Sequence, residues 1–254
     1  MSIVYNGFVG LRRGNNNPEH MELEDYMRLQ NVAYVNAGRA PMYTEEQIQT
    51  WITTEDRIHY PLPNTWFQNK DLVRTGLQID QNLVVSGGSE KVQGRGSIRW
   101  QDNEGIISSV QNKISEVRTN LDYKPYEKLK LSADLDYRQN YSEAPITNVF
   151  QYMLHAGQWA VPKYPDGTYG LSRQNQSPMI FNDLGGLDKL NRDYLIGNLK
   201  LEFNILRGLK FTGQYSLRAI NNIQKIFSNA YTIYDYEDKT KIRKIVDKNY
   251  LNEI

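Results

Sequence analysis

The sequence predicts an all-β fold, an antiparallel up-and-down transmembrane β-barrel, of which this chain supplies a fragment of about seven strands with short helices in long extracellular loops. Three observations predict it. Apolar and polar residues alternate with a period of two in several segments, and short and long connections alternate along the chain. In addition, no run approaches the roughly 18 consecutive apolar residues of a membrane-spanning helix.

Alternation is clearest in residues 129–138 and 209–218. Leucine, alanine, phenylalanine and tyrosine dominate the odd positions of these segments, whereas lysine, aspartate, serine, glutamine and arginine dominate the even ones. Since successive side chains of a strand point to opposite faces, each segment predicts a strand with one apolar and one polar face. Weaker or less regular copies predict five further strands at 3–11, 79–86, 92–101, 117–123 and 195–205.

The connections between these strands are of two kinds. Tight turns are predicted at 87–90, 125–127 and 206–208, and Gly208 stands where a three-residue hairpin loop needs a positive φ. An odd-length loop keeps apolar residues of both strands on one face. Long connections lie between the hairpins, at roughly 12–73, 102–115 and 139–193. Long loops on one rim and tight turns on the other are typical of outer-membrane barrels.

Helices are predicted within the long loops. A helix over 19–36 is followed by Gly38, a residue that often ends helices. Thr44 and Gln47 form a capping box that opens a second, short helix. A third helix is predicted at 148–155.

Composition excludes some classes of function. Lys+Arg 30 against Asp+Glu 29 gives a net charge of +1, so no global field attracts nucleic acid, and no nucleic-acid partner is expected. The absence of cysteine excludes disulfides and thiol catalysis, and it suits an exported chain. The first residues lack the features of an export signal and read as the middle of a strand, so we expect a partial chain.

Candidate residues for metal binding are few. His20, His59 and His155 all lie in predicted loops and none has a partner four residues away, so they are interpreted as solvated loop histidines. The segment 102–105 resembles a calcium loop but lacks the remaining ligands, which favours a tight turn or a strand cap. We therefore expect no metal and no cofactor.

Candidate residues for catalysis are equally few. Asp134 and Asp136 are neighbours on one face of a predicted strand, a spacing that could support paired-carboxylate chemistry. Lys130 and Arg138 flank them, which favours a neutralised polar wall instead. An enzyme is the class of protein that the sequence supports least.

Aromatic residues form two groups, one near the strand ends and one in the long loops, and each group allows two interpretations. Trp100, Tyr123 and Tyr137 lie near strand ends, where they could form membrane-interface girdles or pack a core. Other aromatic residues lie in the long loops, where flat rings could contact a sugar-like solute or could pack the loops against one another. These loop residues are Trp51, Trp66, Trp159, Tyr164 and Tyr169.

Several segments, in this order and spacing, resemble a known family. The most telling is the Ser-Gly-Gly-Ser-Glu turn at 86–90, followed by an Arg-Thr-Asn-Leu strand at 118–121. Further matching segments are Tyr5-Asn6-Gly7-Phe8-Val9-Gly10, Asn36-Ala37-Gly38-Arg39, Pro63-Asn64-Thr65-Trp66 and Asp102-Asn103-Glu104-Gly105-Ile106. The chain resembles the first barrel strands of the SusC/RagA family of TonB-dependent outer-membrane receptors, most clearly over residues 3–140.

The resemblance implies a role within a larger receptor. Residues 1–254 would form a partial barrel domain, without the plug, in the outer membrane of a Gram-negative cell. The whole receptor would import oligosaccharides or peptides together with a SusD-like surface lipoprotein, powered by the TonB complex. The polar strand faces would line the lumen, where they would touch plug or solute. The candidate lumen-facing residues are Arg95, Arg99, Arg118, Asp122, Lys130, Asp134 and Asp136.

Two other architectures compete with this one. The first is a soluble carbohydrate-binding or adhesive β-sandwich, in which the apolar faces of two sheets pack together. The second is a complete small barrel of about eight strands, which requires an eighth strand within 232–254. That region contains Asp-Tyr-Glu-Asp-Lys at 235–239, and it reads better as an unfinished long loop.

Overall fold

The computed structural model describes residues 1–14, 21–61, 66, 69–156, 161–171, 177–246 and 250–253. Within these ranges the dominant element is one antiparallel sheet of eight strands that follow one another in chain order, β1 to β7 and then β10. A separate two-stranded sheet pairs β8 with β9. The strands are β1 Ser2–Arg12, β2 Gly76–Gly88, β3 Val92–Glu104, β4 Gln111–Tyr126, β5 Leu129–Pro145, β6 Leu187–Leu206, β7 Leu209–Ser228, β8 Tyr231–Tyr234, β9 Ile242–Val246 and β10 Tyr250–Glu253.

All seven predicted strands are present, and most are longer than the alternation indicated. Strands β6 and β7 each have 20 residues and extend about ten residues beyond the apolar stretch at their loop-side ends. Beyond that stretch polar residues occupy both faces, as at Gln139, which pairs with Asp193 in the ladder. The alternation of apolar and polar residues ends there, but the backbone pairing between the strands continues. The predicted long connection 102–115 is accordingly reduced to the six residues between β3 and β4.

At the β4–β5 and β6–β7 turns, the apolar residues of the two strands lie on one face, as predicted. Gly208 has a φ of 84°, as predicted for a residue in the left-handed region. The ladders shift register between Tyr123 and Tyr126 and between Asn204 and Leu206, next to the turns. Each bulge absorbs one residue, so the apolar residues on both sides of the turn stay on one face.

The expectation that 232–254 is an unfinished loop is wrong. This region contains most of the β8–β9 hairpin, and β10 adds an eighth strand to the sheet by pairing with β7. Strand β10 has only four residues, too few for a period of two to stand out in the sequence. The sheet is not closed, because β1 and β10 are its edges and do not pair in the described chain. The complete eight-stranded barrel is therefore not observed.

The described parts of the connections contain four helices: α1 Leu23–Asn36, α2 Glu45–Thr53, α3 Val149–His155 and α4 Pro178–Asp183. The capping box of α2 is present, since Thr44 and Gln47 bond reciprocally, and Asn148 caps α3. Helix α1 begins later than the predicted residue 19, and residues 15–20 lie outside the described residues. The six residues of α4 were not predicted, because so short a segment shows no helical period. No helix within the described ranges is both long and apolar enough to cross a bilayer.

The buried apolar side chains lie among the loops and, at Ile233, on β8, and none of those described lies on the eight-stranded sheet. One cluster joins three separate connections and is made of Trp66, Leu72, Ile107, Val149, Met153, Ala156 and Met179. A smaller cluster of Leu23, Met27 and Ile48 packs α1 against α2. We call the packed connections at this end of the sheet the loop layer. The sheet thus has a tight-turn end, a loop-layer end and two broad faces between them.

Candidate functional site

The register places all seven candidate lumen-facing residues on one face of the sheet. Arg95 lies opposite Asn120, which lies opposite Asp134, and Arg118 lies opposite Asp136. These ladders have no register shift over this stretch, so odd positions of β3 and even positions of β4 and β5 share one face. We call it the polar face. It carries Arg95, Arg99, Arg118, Asp122, Lys130, Asp134 and Asp136.

Asp80 on β2 accepts three hydrogen bonds on this face. Arg99 donates from Nε to Oδ1 at 3.0 Å and from Nη2 to Oδ2 at 2.6 Å, and Gln101 donates to Oδ2 at 2.6 Å. A two-pronged guanidinium contact of this kind fixes both partners in orientation as well as in charge. Asp80 therefore ties β2 rigidly to β3.

Glu116 on β4 is the one carboxylate of the polar face described as buried, with 7% of its surface exposed. Arg118 Nε lies 2.5 Å from Glu116 Oε1 and 2.9 Å from Asp136 Oδ2, so one guanidinium serves two carboxylates. Arg99 and Arg138 lie directly opposite Glu116 in the two neighbouring strands. A buried carboxylate keeps its charge only when cations and donors compensate its lost hydration. Arg118 supplies an ion pair with Glu116, and Arg99 also interacts favourably with its charge.

The polar face continues toward the tight turns with further pairs. Lys130 lies 3.0 Å from Asp122, which also accepts a hydrogen bond from Ser132 at 2.6 Å. Asp134 accepts one from Asn120 at 2.7 Å. Arg95 makes no ion pair with any described side chain, and it is exposed.

The arrangement fits the neutralised wall better than paired-carboxylate chemistry. Asp134 and Asp136 are bonded to different donors, Asn120 and Arg118, and do not share one. A groove of about 820 Å³ runs along this face across β1 to β6, lined by side chains of both charges and by amides such as Asn82. Such a surface can hold water and polar solutes, and its cations are mostly already neutralised.

The opposite face is apolar over part of its height, and we call it the apolar face. Its apolar stretch covers 129–137 of β5, 195–205 of β6 and 209–219 of β7, which is 9 to 11 residues per strand. Large side chains are exposed along it, and Leu199 has 59% of its surface open. About ten residues of a strand tilted by roughly 45° rise about 25 Å, the height of the apolar band of a membrane barrel.

Aromatic residues border the apolar stretch. On the loop-layer side, Tyr137 donates a hydrogen bond from its hydroxyl to Asp193 at 3.2 Å, while its ring lies among apolar neighbours. Trp100 lies near the same boundary on β3, and Tyr123 lies at the tight-turn end of β4. All three rings are partly exposed on the apolar face and are not buried in a core. This placement agrees with the interface-girdle interpretation.

Trp66 is not available for solute contact. Its side chain is 0% exposed and lies in the main cluster of the loop layer, among Leu72, Met153 and Met179. Its indole nitrogen has no hydrogen-bond partner in the described structure. Here the interpretation that the loop aromatic residues pack the loops is the correct one, because residues distant in sequence converge on Trp66 and cover it.

Trp51 also has structural contacts. Its indole N–H donates to the carbonyl oxygen of Pro61 at 3.0 Å, and its ring meets Tyr60 edge to face at a centroid distance of 5.4 Å. It packs against the α1–α2 cluster while remaining half-buried. Trp159 lies outside the described residues.

Tyr164 and Tyr169 are half-buried, and each has a partner. The ring of Tyr164 stacks on Tyr236 at 4.2 Å with an interplanar angle of 8°. Tyr169 donates from its hydroxyl to Asp183 at 2.9 Å, and the amine of Lys163 lies 4.8 Å from the centre of its ring. Burial raises the pKa of both tyrosines. One face of each ring is therefore already occupied.

The β8–β9 hairpin is fastened to the loop layer at several points. Lys239 Nζ lies 2.5 Å from Asp166 Oδ2 and lowers the pKa of that carboxyl to about 2. Lys244 Nζ lies 5.1 Å from the centre of the Phe181 ring, and burial lowers the pKa of this lysine. With the stack of Tyr164 on Tyr236, these contacts make the hairpin part of the loop layer.

His59 links two of these connections through a pair of carboxylates. Its Nδ1 lies 2.5 Å from Asp56 Oδ2 and its Nε2 lies 2.5 Å from Glu237 Oε1, at the tip of the hairpin. These hydrogen bonds, first that to Glu237 and then that to Asp56, raise the pKa of His59. The sequence predicts a solvated loop histidine, and the His59 side chain is 55% exposed, but its two carboxylate partners were not predicted. His155 is exposed as predicted, and His20 lies outside the described residues.

We expect the hairpin to hold less firmly at high pH. Because the folded-state pKa of His59 is raised, its stabilisation is fully present below about pH 6.5 and is lost as pH rises through the folded pKa. Hydrogen-exchange protection factors of residues 231–246 should fall as the pH rises above about 6.5 and through the raised pKa of His59. His59→Gln should remove most of that dependence and His155→Gln should not. An unchanged pH dependence in His59→Gln would show that the contact does not fasten the hairpin.

Sequence reasoning missed several members of the polar face. Asp80 and Gln101 act through cross-strand partners, which depend on the register, and Glu116 pairs with Arg118 two residues further along its own strand. The signal that could have found them is the pairing of opposite charges once the hairpin turns are fixed, since the turns set the register.

Comparisons with known proteins agree with the architecture. No family model matches the chain, and no curated protein does. The chain is similar to a solved structure of the RagAB peptide transporter, with a TM-score of 0.68 and 15% identity, over 89% of this chain and 29% of that chain. It is also similar to the RagAB peptide importer in the open-open state, with a TM-score of 0.63 and 16% identity, over 89% of this chain and 28% of that one. The chain spans less than a third of the length of these structures, and at this identity the likeness shows the fold.

Proposed function

We propose that this chain is part of the wall of an outer-membrane β-barrel in a TonB-dependent receptor of the SusC/RagA type, which imports oligosaccharides or peptides together with a SusD-like surface lipoprotein. The observation that carries the proposal is the two-faced sheet. A long stretch of exposed apolar side chains lies on one face, and a network of paired charges lies on the other.

The apolar face supports a position in lipid. Its side chains have no protein to cover them within the described chain, and its apolar height matches a hydrocarbon core. Strands β2 to β6 are paired on both sides over most of their length, as lipid requires, whereas β7 pairs with β10 only over 225–228. The two open edges need further strands, and similarity to less than a third of the RagAB chain agrees with a wall that continues elsewhere in a longer protein.

The polar face supports a position toward the lumen. Arg95, Arg99, Arg118, Asp122, Lys130, Asp134 and Asp136 would meet water, plug or solute there. Because most of these charges are already paired, the wall would bind a passing solute weakly. Arg95, which makes no ion pair in the described chain, is the member best able to contact a carboxylate of the plug or of a peptide.

The loop layer would face the outside of the cell and meet the lipoprotein. Its connections pack against one another and form a defined surface, which suits docking of a partner. Tyr164 and Tyr169 keep partly exposed rings for solute contact. Peptides are the solute that the similar structures favour, since both are described as RagAB peptide carriers.

The soluble β-sandwich has less support. A sandwich needs a second sheet packed on the apolar face of the first. In the described chain the only other sheet is the short β8–β9 hairpin, which belongs to the loop layer. The apolar face would then remain in water, with Leu199 and Tyr215 among many open side chains.

Deletion of the gene that encodes this chain tests the proposal. Growth on peptides, or on oligosaccharides, as the sole nutrient should be lost, while growth on free amino acids and simple sugars should not change. Restoring the gene should restore growth, and the product should be found in the outer-membrane fraction. Unchanged growth on every polymer, with the product in a soluble fraction, would contradict the proposal.

A further inference from the structure

The tight-turn end of the sheet carries an excess of positive charge. The turns and the strand residues next to them contain six basic residues and only two acidic ones. The basic residues are Lys91, Lys124, Lys128, Lys130, Arg207 and Lys210, and the acidic ones are Glu90 and Glu127. We call this set the basic rim.

A groove lies in the basic rim between the β4–β5 and β6–β7 turns. Its volume is about 550 Å³, and three cations and three large apolar side chains line it. The apolar residues belong to or adjoin the apolar face, and Leu206 is the most open of them, with 69% of its surface exposed. The lining residues used here are Lys128, Arg207, Lys210, Ile205, Leu206 and Leu209.

Two of the three cations have no partner of opposite charge. Lys210 Nζ lies 2.6 Å from Glu202 Oε1 and is neutralised. Lys128 and Arg207 are exposed and make no ion pair with any described residue. Unpaired cations beside exposed apolar side chains form a surface that suits a ligand with both an anionic group and a hydrocarbon group.

The other end of the apolar face differs. Its charges are nearly balanced, and two pairs are in contact or close to it: Lys113 Nζ lies 3.8 Å from Asp102, and Lys189 Nζ lies 3.5 Å from Glu143. Among the residues that the structure describes, the tight-turn end is therefore the one that offers cations without an ion pair at the edge of the apolar stretch.

We propose that the groove between Lys128 and Arg207 binds a phospholipid, with the headgroup phosphate on the two cations and an acyl chain along Ile205, Leu206 and Leu209. The inference rests on the proposed membrane position of the sheet. Charge complementarity selects the phosphate, since Lys and Arg at the edge of an apolar band reach the headgroup region and bind phosphate oxygens. The apolar side of the groove selects a lipid over free phosphate.

Native mass spectrometry of the whole receptor that contains this chain, in neutral detergent micelles, tests this site, with dioleoyl phosphatidylglycerol as the titrant. Loss of both charges in Lys128→Gln/Arg207→Gln should weaken phosphatidylglycerol binding about 25-fold, roughly fivefold for each cation lost near an anionic surface. The control Lys113→Gln/Lys189→Gln removes the same charge from the other end of the apolar face, and it should bind like wild type.

Two further measurements distinguish binding of a lipid from binding of free phosphate. They also distinguish failure of the lipid site from failure of the proposed function. Leu206→Ser should weaken phosphatidylglycerol binding, and inorganic phosphate should not compete with the lipid. Equal binding by both double variants, or full competition by inorganic phosphate, would overturn the site while leaving the membrane position intact. A whole protein that stays out of the micelles and monomeric in water would instead contradict the proposed function, and the lipid site with it.

Discussion

Replacing Leu199 with arginine should destabilise the sheet in lipid vesicles by about 2 to 4 kcal/mol, the cost of a cation near the middle of a bilayer. Leu199 is centred in the apolar stretch of β6, and its side chain is open to the surroundings of the apolar face. In a water-soluble protein the same change at so exposed a position would alter stability by about 0.5 kcal/mol or less. The free energy of unfolding, from guanidinium titration of the chain in vesicles, measures the difference.

Two matched variants control this prediction. Asn198→Arg adds the same cation at the next residue, which lies on the polar face, and it should cost far less. Tyr137→Arg adds it at the boundary of the apolar stretch, where the expected electrostatic cost is only about 0 to 1 kcal/mol. Equal effects at 198 and 199 would mean that the two faces do not meet different solvents.

Replacing Trp66 with alanine should loosen the loop layer by about 3 to 5 kcal/mol, because it empties a large, fully buried volume. Trp66 is the largest member of a cluster that draws on three separate connections, so their docking depends on one side chain. Hydrogen exchange of α3 should accelerate about a hundredfold or more. The sheet strands should keep their protection.

Two controls show whether the effect comes from the buried volume. Trp66→Phe keeps most of the ring and removes an indole N–H that has no partner in the described structure, so its cost should be small. Trp51→Ala should loosen α1 and α2 but not α3, because Trp51 packs against the other cluster. Equal acceleration of α3 in both alanine variants would contradict the division into two clusters.

The sequence predicts the strands where the two faces differ in polarity and fails where they do not. Residues 129–138 identify β5 because its odd positions are apolar, but its extension to Pro145 carries polar residues on both faces. Strand β10 is too short to show a period. Tertiary pairing with β7, not local pattern, defines it.

Prediction of the site was limited in the same way. The face that a strand residue occupies follows from its odd or even position, so the sequence alone could predict that Arg118 and Asp136 share a face. The burial of Glu116 was not predictable, because the alternation along β4 does not distinguish Glu116 from exposed residues of the same face, such as Arg118. Trp66 could have faced a solute or a core, and only contacts between distant loops decide between them.

The most direct test of the central claim uses two adjacent residues on opposite faces. The chain has no cysteine, so Leu199→Cys and Asn198→Cys each provide a single labelling position for a bimane fluorophore. In vesicles whose acyl chains carry nitroxides, the label at 199 should be strongly quenched and the label at 198 should not, whereas aqueous iodide should quench only the label at 198. Equal quenching of both labels by the lipid nitroxides, or of neither, would contradict a wall with one face in lipid and one in water.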